Sequence, residues 1–222
     1  MKKLVIIVEG DAEESFVNNI LSPHFTSLGL YNSIQSFKIK KSNGGISKYS
    51  DVKKDIINTL YENDVVVSTM LDFYRLPSSF PGKQDSSTFH AHLQQVEYLE
   101  RKLKEDIESA QQCTFDNLIP YIQLHEFEAL VFSSINGIDA LFEPSEFKRK
   151  DMLQVIHDYP NPEDINDQPN TSPSVRLIKL IPGYEKVLYG IEILQQHGMP
   201  TLLARCPHFR AWVTKLEIYL RQ

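Results

Sequence analysis

Two uninterrupted apolar runs rich in β-branched residues dominate the first third of the chain, and both end on an acid. Lys3–Val8 (KLVIIV) stops at Glu9-Gly10, and residues 64–71 (DVVVSTML) stop at Asp72. Runs this short, with little polar alternation, read as strands covered on both faces, the pattern of a parallel sheet. From Asp11 the period becomes helical. Phe16, Val17, Ile20 and Leu21 recur at helical spacing, and Asp11 stands where an N-cap would sit.

The pattern continues as alternating units. Residues 36–41 alternate weakly before Asn43-Gly44-Gly45, a loop signal, and residues 52–61 (VKKDIINTLY) are amphipathic with helical period. Residues 75–85, rich in proline, serine and glycine, predict an irregular loop; residues 89–112 predict a long charged helix. Residues 118–124 are a third strand candidate, followed by His125-Glu126-Phe127-Glu128 and an apolar helical stretch to Phe132. Beyond this the strand signals fade. Residues 147–157, 174–180, 184–196 and 209–220 read as short helices punctuated by prolines. The pattern predicts an α/β fold, with a mostly parallel sheet flanked by helices and a helical C-terminal half. It is read as one domain over residues 1–222, with an α/β core in 1–134 and a mainly helical extension in 135–222.

Composition narrows the class. Hydrophobic residues make up 41% of the 222 and charged residues 23%, an ordinary globular balance. The apolar run after Met1-Lys2-Lys3 is shorter than the ~7–15 residues of a secretory signal, and nothing approaches the ~20 of a membrane span. A cytoplasmic protein with no membrane contact is therefore expected. Cys113 and Cys206 lie in no ligand-spaced motif and are expected as buried or half-buried thiols. A net charge of −6 argues against a protein that coats nucleic acid through a general positive field. It leaves room for one that grips nucleic acid locally.

The chemistry gathers at the predicted strand ends, where parallel sheets place their sites. Glu9 leaves the first strand and Glu13 the first turn of the helix behind it, so both can face one ion. Asp11, Glu13 and Glu14 equally suit the positive N-terminus of that helix. Asp72 closes the second run, although a lone Asp after a strand often only caps a turn. In the third group, His125 and Glu128 would share a helical face and Glu126 would point elsewhere. Glu126 or Glu128 is a candidate ligand with His125 orienting it or handling a proton; a structural histidine among solvated acids is the alternative. Acids converging on one sheet edge repel unless a cation lies between them, and Mg2+ or Mn2+ suits such carboxylates. Lys38, Lys40 and Lys41, in a lysine-rich stretch near Gly44-Gly45, either grip phosphates or form a solvated face. His90 and His92 are more simply structural. Lys186 and His208 are possible phosphate or supporting groups. Nucleophile-elbow and Walker-type motifs are absent.

Taken together, VEGDAEESFV, LDFYRLPSSFPG, PYIQLHEFEALVFS, NPEDIND, IPGYEKVLYG and CPHFRAWVTKLE resemble a bacterial domain-of-unknown-function family. That family is regarded as a distant TOPRIM-fold relative of the overcoming-lysogenization-defect (OLD) nucleases. The resemblance spans nearly the whole chain. It implies a TOPRIM-like fold and magnesium-dependent phosphodiester chemistry. It sets Glu9 on the family's strand-end glutamate, Glu13 on its second glutamate and Asp72 on the first aspartate of an Asp-x-Asp pair. Tyr74 stands where the second aspartate is expected. The resemblance further implies an AAA/ABC-type ATPase partner in a phage-defence setting.

Two readings follow. In one, the chain is a nuclease in which Glu9, Asp72 and one of Glu13, Glu126 or Glu128 hold the metal, and His125 or Lys186 assists with protons or charge. Phosphoryl or nucleotidyl transfer on a small nucleotide would share that site. In the other, the chain is a catalytically inactive partner-binding module.

Overall fold

A computed structural model describes residues 2–39, 46, 48–165, 168 and 170–222. Among the described residues, five strands form a sheet in which every pairing is parallel. β1 (Lys3–Val8) leads into α1 (Asp11–Phe16), which runs through a π-helical turn (Val17–Leu21) into α2 (Ser22–Ser27). Then come β2 (Ile34–Lys38), α3 (Tyr49–Leu60), β3 (Val65–Asp72), the short α4 (Lys83–Ser86) and the long α5 (His92–Gln111). β4 (Leu118–Ile119) and β5 (Ile122–Gln123) complete the sheet. The remaining helices are α6 (Asn136–Asp139), α7 (Arg149–Asp158), α8 (Pro173–Leu180), α9 (Ile191–Arg205) and α10 (Pro207–Leu220). No helix among the described residues is long and apolar enough to cross a membrane.

The strand order is β2-β1-β3-β4, with β5 also on β3. The chain leaves β1 toward β2 on one side and leaves β3 toward β4 on the other. The strand order therefore reverses between β1 and β3. In open α/β sheets, sites form in the crevice outside the carboxyl ends of such a pair. Glu9 follows β1 and Asp72 ends β3, so both acids are delivered to this crevice.

Side-chain alternation divides the core into two layers. Leu4, Ile6 and Val8 of β1, with Val66 and Met70 of β3, pack against Phe16, Ile20 and the C-terminal residues Phe209, Trp212 and Val213. Val5, Ile7, Val67 and Leu71 face the other way, onto Val52 and Ile56 of α3 and Val96, Leu99 and Leu103 of α5. The helical C-terminal half thus covers one sheet face. Trp212 stacks on Tyr121 with ring centroids 4.3 Å apart, and its Nε1–H donates to Ser68 Oγ at 2.9 Å. Glu163, buried, accepts the N–H groups of His208 (2.9 Å) and Phe209 (3.0 Å) at the start of α10. This satisfies donors that a helix N-terminus leaves open and gives the CPHF motif a structural role.

Several expectations change. The third strand is split into β4 and β5 around Pro120, which has no N–H for the ladder. The N-cap is Gly10 rather than Asp11; Asp11 is the first helical residue and pairs with Lys38. The helical stretch expected to Phe132 is present as a 3-10 helix (Phe127–Ser133), but it starts after His125, whose left-handed backbone keeps it off a shared helical face with Glu128. The loop expected over residues 75–85 runs into α4, and residues 186–190 form a π-helical turn before α9. Cys206 is buried as expected, but Cys113 is exposed.

Candidate functional site

Glu9, Glu13, Asp72 and Glu128 are all buried, and each is at most 5% exposed. Acids almost never sit this deep without partners. Here they converge on one another and on Lys186. The Lys186 ammonium lies 2.9 Å from Glu13 Oε1, 3.2 Å from Glu128 Oε2 and 3.9 Å from Asp72 Oδ2, and 5.4 Å from the centre of the Phe127 ring. Asp72 donates its backbone N–H to Glu9 Oε2 (3.3 Å), while Asp72 Oδ1 accepts the Phe127 N–H (3.0 Å). The two strand-end acids are therefore bound to each other and to the segment after β5. Arg75, half-exposed, sits 4.0 Å from Glu9 Oε1.

Local sequence explains the convergence. Gly10 leaves room beside the helix start: a Cβ there would lie 3.1 Å from Glu13 Oε2. The parallel register Val8↔Met70 puts the end of β1 beside the end of β3. β5 pairs Gln123 with Asp72, so the residues that follow it arrive at the same edge. His125 then adopts a left-handed backbone (φ +60), uncommon for a non-glycine residue and often found at functional sites. That turn separates the acids beyond it. Glu128 faces Lys186, whereas Glu126 Oε2 accepts the Ser174 N–H (3.0 Å) at the start of α8.

The electrostatics follow from burial. Desolvation, the largest cause, pushes Glu9 above the ordinary carboxylate range; the Asp72 N–H and Arg75 pull the other way. Asp72 is raised further, by desolvation and by repulsion from Glu13, Glu9 and Glu128, with Lys186 opposing. Glu128 is raised by desolvation as well. For Lys186, burial works against the charge, but Asp72, Glu128 and Glu13 outweigh it and hold the ammonium firmly protonated. Three acids, Glu13, Asp72 and Glu128, thus surround one ammonium, while Glu9 lies beside Arg75.

Oxygen donors of this kind suit a hard divalent ion. Among the described residues, however, no group of three His, Cys, Asp or Glu side chains is arranged to hold a metal ion as it stands. Glu9, Glu13, Asp72 and Glu128 are the oxygen donors gathered at this edge, with Lys186 among the last three.

Of the other residues singled out by sequence, Lys38 ends β2 at the same sheet edge, beside Asp11 and, at 3.9 Å, Glu14. Lys40 and Lys41 lie outside the described residues. Tyr74 is half-exposed, and its N–H donates to the His125 carbonyl (3.3 Å). His208 has other partners: its Nε2 lies against Glu100 (3.1 Å) and the Ile122 carbonyl, and its ring stacks on Tyr121. His92, read from sequence as more simply structural, has its Nδ1 3.2 Å from His125 Nε2. Sequence reasoning missed Arg75, although that residue is part of the LDFYR motif, and Tyr184, whose hydroxyl is buried near Glu128.

The model of a family described as domain of unknown function (DUF4276) matches residues 8–217. The chain belongs to this family. No curated protein and no solved structure matches it.

Proposed function

Taking this membership as the premise, we propose that the chain is a TOPRIM-like, magnesium- or manganese-dependent phosphodiesterase of the nuclease class. The observation that carries the reading is the convergence of Glu9, Glu13, Asp72 and Glu128 where the strand order reverses, with more carboxylate than cation. A divalent ion held by Glu9, Asp72 and one of Glu13 or Glu128 would supply charge neutralisation at a phosphodiester. Glu126, engaged at α8, is the weaker ligand candidate. The protein's own groups do the remainder. Lys186 balances the acids while no ion is bound, and Arg75 and Lys38 offer half-exposed cations at the cluster's mouth for flanking phosphates. In the His92–His125 pair one ring nitrogen donates to the other, which suits passing a proton between a buried ring and a half-buried one. An ATPase partner and a phage-defence setting are proposed on the family resemblance alone.

Purified protein is expected to cleave DNA or RNA only with Mg2+ or Mn2+ present, and Glu9→Gln to lower the rate by roughly 100-fold. Equal background cleavage by wild type and Glu9→Gln across divalent ions, with an ATPase partner supplied, would remove the enzyme reading. The second reading is a catalytically inactive TOPRIM-like docking module. The ammonium seated among three of the acids, and Tyr74 in place of an expected acid, favour it. That reading is selected if calorimetry finds no divalent binding.

A further inference from the structure

Resting on the reading of the cluster as a divalent-cation site, we infer that Lys186 is the chain's own occupant of the cation position. A metal ion must displace it, and Lys186 therefore sets how tightly the cluster binds metal.

The geometry is that of a competitor. The ammonium takes oxygens of Glu13 and Glu128 at 2.9 and 3.2 Å and approaches Asp72 at 3.9 Å. These are oxygens that a hard cation would need, and the ammonium repels a second positive centre brought to them. With Lys186 in place, Glu13 and Glu128 are drawn to one point charge. That accounts for how four buried acids can converge without forming a metal-ready group.

The segment that carries Lys186 is built to present it. Gly183 adopts a left-handed backbone (φ +78), and a Cβ there would meet open space. Lys186 then opens the π-helical turn Lys186–Gly190, which packs against α1, the helix that bears Glu13. Such turns are frequent at functional sites. Val187 and Leu188, next to Lys186, are about half exposed, so the turn lies at the protein surface. Beneath it Tyr184 is pinned. A Cβ at Gly190 would come within 2.7 Å of the tyrosine hydroxyl, which has no hydrogen-bond partner among the described residues. The turn also packs against α9, so its backbone has contacts that do not depend on the lysine side chain.

The test is calorimetric titration of the full chain with MnCl2 and with MgCl2, for wild type, Lys186→Met and Lys186→Arg. Removing a competing unit charge from within 4 Å is expected to tighten metal binding by at least about tenfold in Lys186→Met. Lys186→Arg should bind no better than wild type. Without metal, Lys186→Met should melt at a lower temperature than wild type, and saturating Mn2+ should raise its melting temperature by more. If Lys186→Met does not fold, Lys186→Gln is measured instead. Equal or weaker binding by the neutral variant, with wild type still binding, would overturn the inference and leave the metal reading standing. No binding by wild type or by any neutral variant would overturn both.

Discussion

Asp72→Asn is expected to leave the fold intact and to weaken divalent binding and cleavage by roughly 100-fold or more. Two features make the substitution selective. The asparagine carbonyl oxygen can still accept the Phe127 N–H that Asp72 Oδ1 accepts at 3.0 Å, and the backbone N–H to Glu9 is untouched. What is lost is the charge. Burial and the neighbouring acids already push Asp72 toward its neutral form, and asparagine resembles that form. In the absence of metal, the variant should therefore melt no lower than wild type, because removing a repelled buried charge offsets the weakened attraction to Lys186. Calorimetry and melting in parallel check both halves. Undiminished metal affinity in Asp72→Asn would place the ligands elsewhere.

Trp212→Ala is expected to cost about 3–5 kcal/mol of unfolding free energy, the range for truncating a large buried aromatic. Trp212 is 2% exposed, stacks on Tyr121 at 11° between ring planes, and donates to Ser68 on β3. Ser68 in turn donates to the Ile119 carbonyl of β4 at 2.6 Å. The one indole thus joins α10, the central strand and the edge strand. Trp212→Phe keeps most of the apolar contact and leaves Ser68 its second partner, so its cost should stay near 1–2 kcal/mol. Urea denaturation measures both. A loss below about 1 kcal/mol for Trp212→Ala would mean that the C-terminal helices contribute little to holding the sheet.

These two residues also mark what could be read from sequence. Asp72 was legible because β3 is buried on both faces and so shows as one apolar run with an acid at its end. The same logic found β1 and Glu9. It could not show that the two strands are neighbours. That follows from the order β2-β1-β3-β4, a tertiary property. The split between β4 and β5 had a visible cause in Pro120, but the apolar run masked it. The fates of Glu126 and Glu128 were decided by the left-handed turn at His125, which has no signature in a histidine. Lys186 sits far along the chain in a π-helical turn, so no spacing rule connects it with Glu13. Its place beside Glu13 and Glu128 comes from the packing of that turn on α1.

The proposed divalent-cation site lies among the acids at the carboxyl ends of β1 and β3. It is tested most directly by diffraction from crystals soaked in MnCl2, with data collected at the manganese edge. The expected result is an anomalous peak within bonding distance of carboxylate oxygens of Asp72 and Glu9, with the Lys186 ammonium moved away from Glu13 and Glu128. Density with no such peak, and Lys186 still seated between those two carboxylates at saturating manganese, would contradict it.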